Sequence, residues 1–255
     1  TSSTKATGGT SATSSSKAAG GSATGGSGTG GSSSVSGLAK FSFFVTSYAA
    51  MKRLSGSELG FGGDLRYGQA DGLTGADKIC ATIAEASMTG AGAKGWKAFL
   101  STSSVNAIDR ITYDGPFYDR RGRVVATSKA GLISGDRPAG ADSAIANDLP
   151  NEDGVTNHAP DGTQVDNHDV LTGSTGKGVK TGAWCSDWTN ATSAGGIQIG
   201  HSWPAHGNNW LQAHTVSGCK PGVTFLTNPN AESGANGTVG SMGGYGGIYC
   251  LASQE

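Results

Sequence analysis

No apolar run in this 255-residue chain approaches the ~20 residues that a membrane-crossing helix needs; the apolar stretch Phe41 to Tyr48 is strand-length. Charge is scarce and balanced. There are 18 Lys and Arg against 19 Asp and Glu, a net charge of −1, and only Arg120, Arg121 and Arg123 cluster. A nucleic-acid partner, which would require a basic face or stripe, is therefore not expected. Motifs for nucleophilic and metalloprotease chemistry are missing: there is no G-x-S-x-G, no H-E-x-x-H and no phosphate-cradling loop, so no catalytic residue is expected and the chain reads as non-enzymatic. Cysteine is sparse and widely spaced. Cys80, Cys185, Cys219 and Cys250 form no C-x-x-C pair, which favours two disulfides over a zinc knuckle and points to an oxidising, extracellular setting, secreted or at a cell surface.

Residues 1–37 lack acids and aromatics altogether. They hold 12 Ser, 10 Gly, 7 Thr and 5 Ala, with almost no apolar surface to offset the entropy of ordering them. Such a tract suits a flexible spacer or an O-glycosylated stalk. The chain begins at Thr1 with no initiator Met and no signal peptide, so it reads as mature or trimmed. Residues 38–255 are expected to form one domain, and its abundant glycine predicts many loops.

The clearest element is a helix within the stretch Gly72 to Ser103. Thr74 is the expected N-cap with Asp77 as its capping-box partner, and Ala76, Ile79, Cys80, Ile83 and Ala84 recur at the spacing of one buried face. Gly90 and Gly92 end it. Strands are expected at Lys40 to Ser47, at Trp96 to Leu100 and at the apolar C-terminal run Gly247 to Leu251, with Gly243 to Gly247 read as a turn before it. Val105 to Ile111 is expected as a short helix or strand edge, and Phe117-Tyr118, the turn Asp119 to Gly122 and Arg123 to Thr127 as a hairpin. Residues 138–176 read as a long irregular acidic loop, with seven acids and no Lys or Arg, in which Val170 to Gly173 begins the return to the fold.

Several ordered motifs together resemble the endostatin-like branch of the C-type-lectin-like fold, found in bacterial surface lipoproteins and secreted proteins. They are Thr74-Gly75-Ala76-Asp77-x-x-Cys80, Trp96 to Ser101, Asp114-Gly115-Pro116, Trp184-Cys185-x-x-Trp188-Thr189 and Ile248-Tyr249-Cys250. The resemblance covers Lys40 to the C-terminus. It implies an α+β, loop-rich domain with Cys80 paired to Cys250 and Cys185 to Cys219, a choice among three connectivities that the spacing alone leaves open. Sugar-binding members of the fold hold calcium through Glu-Pro-Asn-like and Trp-Asn-Asp-like tripeptides. The nearest matches here, Leu149-Pro150-Asn151 and Trp210-Leu211-Gln212, lack the carboxylates, so that route is not expected.

Other candidates come from residue chemistry. Asn151, Glu152, Asp153 and Asp161 offer the oxygen atoms that calcium prefers, without EF-hand spacing. Trp203 and Trp210 are candidate aromatic binding faces. Asn190 and Asn236 open N-x-S/T sequons. His201, His206 and His214 lie close in sequence, but with no strand or helix spacing to aim them they read as loop histidines. Two functions fit. In the first, a structural and adhesive subunit self-assembles through residues 1–37 into a surface fibre that displays the domain. In the second, a monomeric adhesin binds glycans or matrix proteins, with the tail as its stalk.

Overall fold

A computed structural model describes residues 37–158, 164–204, 209–227 and 236–253. The expected tail, apart from Gly37, lies outside the described residues, and with it the assembly role assigned to it. The described residues belong to one compact unit.

The fold is built on its last strand. β8 (Gly244–Leu251) is buried along all eight residues, and apolar side chains from it enter two cores, Ile248 and Cys250 in one, Tyr249 and Leu251 in the other. One edge pairs antiparallel with β1 (Phe43–Val45), placing Phe44 opposite Cys250. The short strand β2 (Lys97–Ala98) pairs antiparallel with the same end of β8, and β5 (Asp169–Leu171) pairs parallel with its start. β6 (Gly196–His201) then pairs antiparallel with β5, and β7 (His214–Ser217) with β6. A separate hairpin, β3 (Phe117–Tyr118) with β4 (Val124–Ala126), forms where expected. Between Gly244 and Gly247 the chain is therefore strand, not the expected turn. Tyr245 is buried there, its hydroxyl donating to the Thr46 carbonyl at 2.6 Å.

Two helices pack on the sheet. α1 (Tyr48–Ser55) follows β1 directly and was concealed in the sequence by the apolar run that leads into it. Ser47 caps it, accepting from the Ala50 N–H, and Gly56 closes it in the left-handed region at φ 69°. α2 (Gly72–Ser87) buries Ala76, Ile79, Cys80, Ile83 and Ala84 completely, as its periodicity predicts. Its cap, however, is Asp71, whose carboxylate accepts from the Thr74 N–H and hydroxyl at 2.8 Å each. Thr74 is thus the third helical residue. Gly75 is required by packing, since a Cβ there would stand 2.1 Å from the Leu65 carbonyl oxygen. Asp77 does not reach back to the cap. It accepts from Lys97 Nζ, the Ala98 N–H and, at both carboxylate oxygens, Arg110 Nη2, which ties the helix to β2 and to the 3-10 turn Ile108–Arg110.

The disulfides are Cys80–Cys250, joining α2 to β8, and Cys185–Cys219. This is the pairing implied by the resemblance, within a mixed α/β architecture. Among its described residues the expected loop at 138–176 holds no helix or strand before β5, but it is hydrogen-bonded into the fold. Val45 N–H donates to the Pro150 carbonyl, and Leu149 N–H to that of Ser202. The loop's C-terminal part contains the short strand β5 within the sheet, with a short helix, α3 (Lys129–Leu132), preceding the loop. The return to the fold expected at Val170 to Gly173 is this strand, whose β-branched and apolar Val170 and Leu171 pair on both sides.

Candidate functional site

Of the expected oxygen-rich set, Asn151 and Glu152 are engaged within the fold. Asn151 is buried, and its Oδ1 accepts from the Asp153 and Val155 N–H groups. Glu152 is buried and accepts from the Ser47 N–H at 2.9 Å and its hydroxyl at 2.6 Å, so it supports the cap of α1. Asp153 is exposed, and Asp161 lies outside the described residues. Trp210 is not a binding face. It is wholly buried against Phe43, Phe99 and Tyr249, and its indole N–H donates to the Leu132 carbonyl. Trp203 is half-buried, stacked on His158 at 4.0 Å, with its N–H on Asn167 Oδ1. Asn236 is exposed, whereas the Asn190 amide is engaged by the Thr192 N–H and the Ala194 carbonyl.

Two arrangements do converge. The first stands at one end of the sheet. Asp169, the first residue of β5, is directly opposite His201, the last of β6. Ile199 is opposite His214, the first residue of β7, and shares a strand face with His201 two positions on. Register therefore brings Asp169, His201 and His214 to one face. His168 joins them from just before β5, its ring occupying space left by Gly243, where a Cβ would stand 2.1 Å from the imidazole Cε1. Asp169 Oδ1 is 3.3 Å from His168 Nε2, 3.1 Å from His201 Nε2 and 3.0 Å from His214 Nε2. His168, Asp169 and His201 are each 1% exposed, while the His214 side chain is 24% exposed and forms the rim. Behind them, Asp166 Oδ1 is 2.5 Å from His168 Nδ1, and Arg137 donates to the carbonyls of His201 and Ser202. Burial alone would push the Asp169 carboxyl up; the His201 and His214 imidazoles beside it outweigh that and hold it below the usual carboxylate range. The hydrogen bond that His214 makes to the Asp169 carboxylate raises His214 in turn.

The second is an open cleft of about 580 Å³, lined by Phe61, Asp64, Arg66, Tyr67, Gly68, Gln69 and Ala191. Phe61 and Tyr67 meet edge to face at 5.6 Å and are both part-exposed, with Lys78 Nζ over the Tyr67 ring. Its backing is fixed. Gly63 N–H donates to the Cys219 carbonyl, Leu65 N–H to that of Trp188, and Asp64 bridges to Thr189. Arg66 clasps the Asp64 carboxylate with two nitrogens at 2.9 and 2.6 Å.

No protein-family model matches the chain, and no curated protein matches it in sequence. The residues alone carry the reading that follows. Of the histidines noted in the sequence, His201 and His214 belong to the cluster, and His206 lies outside the described residues. His168 and Asp169 were missed as partners. The available signal was a His-Asp pair heading the β-prone Val170-Leu171-Thr172, together with His201 ending an alternating run. The aromatic cleft gave even less: Phe61 and Tyr67 sit in a glycine-rich turn region with no periodicity.

Proposed function

We propose that this chain is a non-enzymatic extracellular binding domain of C-type-lectin-like, endostatin-like architecture, and that it recognises glycans at the Phe61–Tyr67 cleft. The observation that carries this reading is the cleft itself, with two part-exposed aromatic rings and the Gln69 amide beside them. Apolar ring faces pack against the C–H faces of a pyranose, and neighbouring polar groups take its hydroxyls. The Asp64–Arg66 pair favours binding over proton transfer. The bond from Arg66 holds the Asp64 carboxyl below its ordinary range, and the same bond raises Arg66, so both stay charged at neutral pH. Anchoring of the Gly63 and Leu65 backbone to Cys219 and Trp188 lowers the ordering cost of presenting the rings. Two disulfides support an extracellular setting, and the paired first and last strands tied to α2 by Cys80–Cys250 support the fold reading.

A glycan array probed with the full chain, followed by titration calorimetry on the best oligosaccharide, tests this. Phe61→Ala and Tyr67→Ala are each expected to weaken binding by about tenfold or more, a stacking contribution of roughly 1.5 kcal/mol. An array with no bound glycan, or a bound glycan indifferent to both substitutions, overturns it.

A further inference from the structure

We propose that His168, Asp169, His201 and His214 form a site for a divalent transition-metal ion, zinc, held in tetrahedral N3O coordination. Four observations lead there. The first is distance. With metal–ligand bonds of about 2.0–2.1 Å, the edge of a tetrahedron is about 3.3–3.4 Å. Asp169 Oδ1 lies 3.0 to 3.3 Å from all three Nε2 atoms, and the four ligand atoms fall within 4.8 Å of one another.

The second is proton accounting at His168. Its Nδ1 faces the Asp166 carboxylate at 2.5 Å, and a carboxylate accepts, so Nδ1 carries the hydrogen. Nε2 is then the nitrogen turned toward Asp169 Oδ1, 3.3 Å away, and a cation held between the two would be bound by both. The third observation is Asp169 Oδ2, which is buried and has no hydrogen-bond partner among the described residues. A buried carboxylate oxygen without a donor is costly to leave so, and a bound cation compensates it directly.

The fourth is the support behind the ligands. Metal-bound imidazoles commonly give their second nitrogen to a carboxylate, which fixes the tautomer and the ring. Asp166 stands in that position for His168, while Arg137 holds the backbone of His201 and Ser202. The donor set decides the class of ion. Three imidazoles and one oxygen suit zinc and its first-row neighbours, whereas calcium takes six to eight oxygens. The part-exposed edge of His214 is the way in.

The test uses the full chain, stripped with a chelator and titrated with zinc by calorimetry and with cobalt(II) by visible absorption. The expected result is one ion per chain, with the intense visible bands of four-coordinate cobalt lost on adding zinc. Asp169→Asn and His201→Gln are expected to lower zinc affinity at least 100-fold, and the positioning change Asp166→Asn about 10- to 100-fold with the cobalt bands shifted. His214→Ala, at the rim, keeps the test decisive if a buried substitution fails to fold, and it is expected to cost at least 10-fold. Absence of stoichiometric zinc binding, binding unaffected by His214→Ala, or displacement of cobalt by equimolar calcium would each overturn the assignment.

Discussion

Single side chains in this molecule carry long-range structure, and Glu152 shows how. It reaches from the acidic segment to the cap of α1, where Ser47 donates from both its N–H and its hydroxyl. Burial pushes its carboxyl up from an ordinary value near 4.5, more than the Ser47 bonds draw it down. The folded chain therefore holds this proton at pH values where the unfolded chain has released it. Its contribution is fully present below about pH 4.5 and is lost as pH rises through the folded value. Asp148 has the same sign, again from burial. Glu152→Gln keeps the shape and removes the charge, so its stability should fall less than that of the parent between pH 4.5 and 7. Urea unfolding of both proteins across that range checks this; parallel curves would remove Glu152 from the account.

At the scale of elements, the turn Cys185–Trp188 is the most unusual piece of backbone. Its four residues have φ of 51°, 53°, 57° and 64°, a full left-handed turn without a glycine. It persists because its neighbours over-determine it. Cys185 is bonded to Cys219, Asp187 accepts from the Ser103 N–H and hydroxyl, and the Trp188 indole donates to the Ser101 carbonyl. Each such residue costs about 1–2 kcal/mol, and glycine avoids this at an entropic cost of about 0.5–1 kcal/mol. Ser186 is exposed. Ser186→Gly should therefore stabilise the fold by about 0.5–1 kcal/mol, and Ser186→Val should destabilise it, as read by denaturant midpoints; the reverse order would refute strain at this turn. No periodicity announces such a turn, which marks the limit of what was legible in the sequence. The buried face of α2 was legible because its 3.6-residue repeat is local, and β8 because Ile248 to Leu251 is densely apolar. The short α1 and the left-handed turn depend on contacts with segments distant in sequence, whereas the Asp71 cap is local and was hidden by the competing cap signal of Thr74 three residues on. The imidazole–carboxylate cluster was least legible of all, since only the pairing of Asp169 with His201 and of Ile199 with His214 aims its side chains together.

Across the whole molecule, the first and last strands lie side by side, and the chain between them is gathered by two nested covalent rings. The outer ring joins residues 170 apart and the inner ring residues 34 apart. Loop closure assigns them about 5 and about 4 kcal/mol, values that do not add because one ring lies inside the other. Their structural roles differ more than these figures do. Cys80–Cys250 sits in the core between α2 and β8, so removing it should lower stability everywhere at once. Cys185–Cys219 lies in the same core but also backs the aromatic cleft, where a Cβ on Gly63 would lie 2.5 Å from Cys185 Sγ and the Gly63 amide bonds the Cys219 carbonyl. Removing it should loosen that wall first. Hydrogen exchange of two double variants separates the cases. In Cys185→Ala/Cys219→Ala, the Gly63 and Leu65 amides should lose protection well before those of β8, whereas in Cys80→Ala/Cys250→Ala all should fall together. If the β8 amides fell as far as Gly63 in the first variant, the cleft would share the stability of the whole domain, and its rigidity would have to be assigned to the sheet and not to the inner ring.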